Sequence, residues 1–356
     1  VLDEKICDAI ANEEREYIGK TQKIPYYPVA IKEGTGALLY DYDGKEYIDF
    51  LSSASSANIG HGNKEIAEVV SEQMARLAQY TIAYFYCKEP IELAKKLVKI
   101  APGNSKKKVI YSNSGSESND GAIKLVRAYT GKSKIISFYE AYHGSTYGAL
   151  SLSAINLNMT KNIGPLLPEF YHFSYPICLR CKYGKNKADC SLECLNEIEY
   201  AFKHYLPPDE VAAVFFEPIA GDAGLIVPPI KYVNGLYELC KKHDILFVVD
   251  EIQQGVGRTG KWFSIEHFNV EPDLIVMGKS IGGGLPLGVI IGKADIIDSL
   301  DAPGHLFSMS GNSTVCAAGL KMFEIHEREN LNYKSEKMGQ YMMNKFNGMK
   351  EKYAVI

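Results

Sequence analysis

The stretch ILFVVDEIQQ, residues 245–254, begins with five apolar residues and ends that run at two adjacent carboxylates, Asp250 and Glu251. Apolar side chains at consecutive rather than alternate positions mean a strand covered on both faces, and such strands belong to parallel α/β sheets. Working outward, the same pattern recurs at 109–111, 135–138, 211–216 and 274–277, mostly separated by helical stretches or long loops. Upstream, residues 37–50 (ALLYDYDGKEYIDF) read as two short strands around an Asp43-Gly44 turn, since glycine tolerates positive φ. Residues 64–80 show helical spacing at Ile66, Val69, Val70, Met74 and Leu77. The expected fold is α/β, with a mostly parallel central sheet flanked by helices. Such sheets place their chemistry in the crevice beyond the carboxyl ends of the strands.

Five strand ends carry residues with chemical potential. The run at 109–111 leads into Asn113-Ser114-Gly115-Ser116-Glu117 and a helical segment closing at Gly131. Backbone N–H groups at such a strand-to-helix turn form a phosphate cradle, although Ser before Glu is also a common helix cap. The next run leads to Tyr142-His143-Gly144, where an aromatic can stack on a flat ring. The third ends in Glu217-Pro218, and the fourth in Asp250-Glu251 with Gln253 beyond. A carboxylate there is expensive to desolvate without a cationic partner. A pyridinium nitrogen supplies one and is kept protonated in return; the alternative is an Asp capping the next helix. The fifth ends in Gly278-Lys279-Ser280 and three glycines, 282–284. A lysine in a dry crevice has the neutral amine needed to attack a carbonyl carbon. Together these residues make a complete pyridoxal-phosphate site: phosphate cradle, ring stacker, carboxylate for the ring nitrogen, and amine.

Composition narrows the partners. The 356 residues are 46% hydrophobic and 23% charged with a net charge of −4, so no basic field attracts nucleic acid or anionic lipid. Apolar runs are far too short to span a bilayer. The opening VLDEKICDAI has no basic stretch leading into an apolar block, so no secretory signal is expected and the cytoplasm is the default location. No internal repeat is present. Of eight cysteines, Cys7, Cys87, Cys240 and Cys316 are scattered. The others cluster as Cys178-x2-Cys181-x8-Cys190-x3-Cys194 in a polar segment. Four thiolates so spaced could hold Zn²⁺ or an Fe–S cluster. Reduced thiols or a local disulfide are the alternatives, and because the spacing matches no common zinc knuckle, no metal ligands are assigned.

Two literal motif matches point elsewhere. Residues 255–260 (GVGRTG) fit the dinucleotide fingerprint, but Trp262-Phe263 follow where a helix should begin. Residues 278–282 (GKSIG) fit a hydrolase nucleophile elbow, which would leave Asp250 and the phosphate cradle without a purpose. Nor is Gly278-Lys279-Ser280 a P-loop, since position 273 is Asp.

The segments DEIQQGVGRTGKWF (250–263) and EPDLIVMGKSIGGGLPLG (271–288) resemble the class III (ornithine/4-aminobutyrate type) aminotransferases, of PLP fold type I. SGSES (114–118), AYHGSTYGAL (141–150), EPIAGDAG (217–224) and GNSTVCAA (311–318) match that family in the same order. The resemblance covers nearly the whole chain. It implies that Ser114, Gly115 and Ser116 hold the phosphate, that Tyr142 stacks on the ring beside His143, and that Asp250 pairs with the ring nitrogen. It further implies that Gln253 contacts the ring hydroxyl with support from Glu217, and that Lys279 forms the Schiff base and later moves the α-proton. Ser308 stands where the family has a Thr that reaches the partner subunit's phosphate, so a homodimer with a shared active site is expected, a tetramer being left open.

The implied layout is a small-domain segment at 1–55, a large PLP-binding domain at 56–310, and the start of a C-terminal small domain at 311–356. The rest of that domain, which usually supplies an arginine for the substrate carboxylate, is not in this sequence. Many ω-aminotransferases of the class also carry Glu where Asp222 stands. The expected activity is amino-group transfer between an amino acid and a 2-oxo acid. The alternative is racemisation or 2-epimerisation of branched-chain amino acids, because 157–168 (LNMTKNIGPLLP) and 299–307 (SLDAPGHLF) resemble the bacterial branched-chain amino-acid 2-epimerases. That reaction needs a second acid, for which the sequence offers only Tyr142 or a water.

Overall fold

The structure, a computed structural model, describes residues 5–24, 26–186 and 188–355. Residues 1–4 of the expected N-terminal segment, and residue 356, lie outside the described residues. Strands β1 (Ile31–Thr35), β2 (Leu38–Asp41) and β3 (Glu46–Ile48) form a small antiparallel sheet. The Asp43-Gly44 turn joins the last two, with Gly44 at φ +80°.

Seven strands make the central sheet: β4 (Lys107–Ser112), β5 (Lys134–Phe138), β6 (Phe170–Phe173), β7 (Val211–Phe216), β8 (Leu246–Asp250), β9 (Leu274–Met277) and β10 (Gly288–Lys293). Their order is β4-β10-β9-β8-β7-β5-β6. Only β10 runs against the rest, antiparallel to both β4 and β9. All the strand ends singled out in the sequence therefore meet on one edge of the sheet.

Successive residues of each central strand enter opposite cores, which is why the runs are apolar throughout. In β7, Val214 and Phe216 join one cluster with Phe138, Tyr232 and Phe247, while Ala213 and Phe215 join another with Val248 and Val276. The second cluster is roofed by Ala122, Leu125 and Val126 of the helix Gly115–Thr130. Each such side chain contributes roughly 1.5–3 kcal/mol on burial.

The apolar-run reading locates β4, β5, β7, β8 and β9 within a residue or two, and the helix expected at 64–80 forms over Lys64–Leu77. It does not include β1, β6 or β10. No helix among the described residues is long and apolar enough to cross a membrane.

Candidate active site

The helix Gly115–Thr130 begins directly at the end of β4. Ser114 is its N-cap, accepting from the Glu117 N–H at 3.2 Å, and Glu117 answers by accepting from the Asn113 N–H at 2.7 Å. The cap and the cradle are thus one structure: side chains take care of the rim while the first-turn N–H groups, which have no intrahelical partners, face the crevice. Gly115 is glycine for space, because a Cβ there would stand 2.5 Å from Ile252 Cδ1. A Cβ at Gly278 would likewise stand 3.2 Å from the Gly115 backbone, so the β4 and β9 ends close on each other.

Lys279 follows β9 and sits at φ +48°, in the left-handed region. Burial pulls its pKa below the ordinary lysine value, against the opposing charges of Asp222, Asp250 and Glu217. One cavity of about 170 Å³ is lined by Lys279 and by Ser114, Gly115, Ser116, Tyr142, His143, Glu217, Asp250 and Gln253. Nine of the ten expected residues are brought together. Ser308 is not among them: it is exposed, and its carbonyl accepts from Gln79 Nε2 at 3.1 Å.

Asp250 is buried at the end of β8 and firmly held. Its Oδ2 accepts from Asn119 Nδ2 at 2.9 Å and lies 2.8 Å from His143 Nδ1, while its Oδ1 accepts from the Ile252 N–H at 2.9 Å. Burial opposes a charge on His143, yet the hydrogen bond to Asp250 and the charges of Asp250 and Glu217 together outweigh it and raise the imidazole pKa. The far nitrogen, Nε2, is buried without a partner among the described residues. Glu217 spends both oxygens on backbone, accepting from the Tyr142 N–H at 2.9 Å and the Gly221 N–H at 2.7 Å. Burial pushes its pKa up to about 7, with His143 opposing and Asp250 adding to the rise.

Asp222, set aside above as a family departure, lines the same cavity. Its one recorded bond is long, from Gln253 Nε2 at 3.3 Å. Sequence reasoning missed Asn119 and Arg258. Asn119 lies one helical turn beyond Gly115 and ties Asp250 to the His143 carbonyl, which it reaches at 2.8 Å; helical phase from the phosphate cradle was the available signal. Arg258, inside the rejected dinucleotide match, donates to Ser52 Oγ at 2.9 Å and to the Ser55 carbonyl at 2.8 Å. Ser280 Oγ donates to that same carbonyl at 3.0 Å, so the left-handed turn Ser52–Ser55 is clamped beside Lys279.

The arrangement suits a flat, protonated heteroaromatic ring bearing a phosphate. The glycine cradle admits the anion, Asp250 is a buried carboxylate facing the cavity, and Lys279 supplies an amine.

Residues 19–356 match the family model described as aminotransferase class-III. The chain is 44% identical to an isoleucine 2-epimerase of Lentilactobacillus buchneri, over 98% of this chain and 77% of that protein. It is 41% identical to a leucine/methionine racemase of Thermococcus litoralis, over 95% and 76%. Among solved structures, taurine:2-oxoglutarate aminotransferase from Bifidobacterium kashiwanohense, in complex with PLP and glutamate, superposes with a TM-score of 0.90. That match has 31% identity and covers 99% of this chain and 80% of the other.

Proposed function

The chain belongs to the aminotransferase class-III family, whose cofactor is pyridoxal phosphate, and from that premise we propose that it is a racemase or 2-epimerase of aliphatic, branched-chain amino acids. The observation that carries this reading is a second ionisable group, Asp222, sharing one cavity with Lys279. Inverting a carbon needs one group to remove its proton and another to deliver one. The other carboxylates are committed: Asp250 to Asn119, His143 and the Ile252 N–H, Glu217 to two backbone donors. Tyr142 has its hydroxyl 3.3 Å from Ser145 Oγ. Asp222 is the acid left over. The epimerase and racemase at 44% and 41% identity support the same choice.

When bound, the cofactor supplies the electron sink that acidifies the bond to the Cα proton. Gly115, Ser116 and the capped turn at Ser114 would hold its phosphate, Tyr142 would stack on its ring, and Asp250 would pair with its ring nitrogen. His143 and Asn119 keep Asp250 oriented, and Gln253 and Glu217 line the same cavity. Lys279 would hold the cofactor, and its amine, whose pKa burial lowers, takes the Cα proton. Asp222 returns a proton to that carbon. Ser308 would serve the phosphate of a second copy in a homodimer.

A second reading, amino-group transfer to a 2-oxo acid, is favoured by the likeness to the taurine:2-oxoglutarate enzyme. One assay separates them. Purified protein with pyridoxal phosphate and L-isoleucine, and no oxo acid, is expected to form D-allo-isoleucine. Conversion of isoleucine only when 2-oxoglutarate is added, with glutamate appearing in step, would establish the transaminase instead.

A further inference from the structure

Four of the eight cysteines sit on the excursion that leaves the sheet's outer edge after β6 and returns through the helix Glu193–His204. Cys178, Cys181, Cys190 and Cys194 all line a single cavity of about 280 Å³. No residue of that cavity is shared with the Lys279 site, and none of the four is in a disulfide. The function proposed above makes no use of them.

Their local geometry is that of ligand-bearing turns. Cys178 opens a single 3-10 turn, Cys178–Arg180, that delivers Cys181 directly after it. The chain then reverses at Gly184, whose N–H donates to the Cys181 carbonyl at 3.0 Å and whose φ is +64°. On the other side, the Leu192 N–H donates to Cys190 Sγ at 3.4 Å. Cys194 lies in the first turn of the helix Glu193–His204. Arg180 and Lys182 line the same cavity together with Glu140 and Glu193, and Lys182 is paired with Glu197 at 3.1 Å.

We propose that Cys178, Cys181, Cys190 and Cys194 form a tetrathiolate Zn²⁺ site that staples the 178–194 excursion to the sheet edge. Two pairs of cysteines, one on a tight turn and one entering a helix, suit tetrahedral Zn²⁺ with sulfur ligands at about 2.3 Å. Binding takes a proton from each thiol and leaves a site of net charge minus two. As thiols the sulfurs stand apart. Among the described residues the one trio of possible ligand atoms within 4.8 Å of one another is Cys7, Asp41 and Asp43. There Asp41 is already taken up by the N–H groups of Asp43 and Lys45 and the Tyr47 hydroxyl. Zinc binding at the four cysteines requires their sulfurs to draw together.

The test is metal analysis of the full chain, with its cofactor, produced with zinc and purified without chelator. About one zinc per chain is expected, released as a mercurial titrates four thiols. Cys181→Ser and Cys190→Ser are expected to lose the metal through gel filtration, while Cys87→Ser, outside the cluster, keeps it. Replacing zinc by Co²⁺ in the unaltered chain should give the intense sulfur-to-cobalt absorption of a thiolate site, a readout that no variant's folding can confound. A chain that retains neither zinc nor cobalt overturns the proposal, whether its four cysteines are then found free or joined in disulfides. So does zinc that survives both serine substitutions.

Discussion

Lys279 lies in the left-handed region at φ +48°, a conformation that a non-glycine residue holds only when its surroundings impose it. The clamp of Arg258 and Ser280 on Ser55 is that surrounding, and Asp222, the proposed second proton-handling group, lines the same cavity. Asp222→Asn should lower epimerisation of L-isoleucine on the order of a hundredfold or more, the usual worth of a positioned acid. The variant should still retain pyridoxal phosphate, and in D₂O it should still exchange the Cα hydrogen of one enantiomer through Lys279. Epimerisation at the unaltered rate would remove Asp222 from the mechanism. Glu251 beside Asp250 does different work. Its buried carboxylate accepts from the Ser264 N–H and O–H at 2.9 and 2.8 Å and from the Ile265 N–H at 2.8 Å, yet burial pushes its pKa up to about 7 from an ordinary 4.5. Between those values the folded chain holds a proton that the unfolded chain has released, so this stability is complete below about 4.5 and is lost as pH rises through about 7. The unfolding midpoint of the unaltered protein should fall over that window more steeply than that of Glu251→Gln, by the equivalent of a few kcal/mol. Parallel pH profiles for the two would show that Glu251 does not titrate there. Lys279, Asp250 and Glu217 were legible in the sequence because each ends an apolar run. Asn119 was not, because it is placed by helical phase and long-range contact, and Asp222 was visible only as a difference from a family pattern.

At the scale of elements, the site is a set of loops from adjacent strand ends pressed to contact. Gly144, beyond β5, has φ +134°, and a Cβ on it would stand 2.2 Å from Ser116 Oγ at the start of the helix Gly115–Thr130. The Ser145 N–H donates to that same oxygen at 3.1 Å, so the loop carrying Tyr142 is fastened to the phosphate cradle. Gly144→Ala combines a strained backbone with an overfilled contact, each costing on the order of 1–3 kcal/mol. Pyridoxal phosphate retained after gel filtration should drop at least tenfold, and retention equal to that of the unaltered protein would show the two loops to be independent. The five parallel strands that deliver these loops could be read from the sequence, since burial on both faces leaves an unbroken apolar run. The strand β10 could not. Its GVIIGK has glycine near each end, and the first, Gly288, is there because a Cβ would stand 2.2 Å from the Ser112 hydroxyl and the Ser114 carbonyl. A strand selected for close approach carries a weaker hydrophobic signature than one selected only for core. At the sheet's edge, β6 (FYHF) mixes a histidine into a four-residue run, too short for periodicity to separate from loop.

For the molecule as a whole, one expected residue lies away from its site, and its surroundings suggest why. Ser308 is bonded through its carbonyl to Gln79, and Asn312 and Thr314 both donate to the Ala78 carbonyl, at 3.4 and 2.9 Å. The segment that follows presents Tyr84 at 73%, Phe85 at 62% and Tyr86 at 99% exposure, and Tyr27 and Phe50 exceed 80%. Aromatic side chains so far into solvent mark a surface meant for contact. Covering the 78–86 segment with a second copy carries Ser308 to that copy, which is the arrangement the proposed homodimer requires. The sequence could suggest this pairing only by resemblance, because an interface between chains leaves no periodic trace along one of them. A mixing experiment decides it. Lys279→Ala should be inactive by itself, and Ser308→Ala should bind pyridoxal phosphate weakly. If Ser308 serves the other subunit, a dimer of one chain of each kind contains one site in which Lys279 and the partner's hydroxyl are both intact. Mixed dimers should then regain about half the activity of the unaltered dimer at limiting cofactor, since one of two sites is whole. If Ser308 serves its own subunit, every site in the mixture lacks either its lysine or its hydroxyl, and mixing restores nothing.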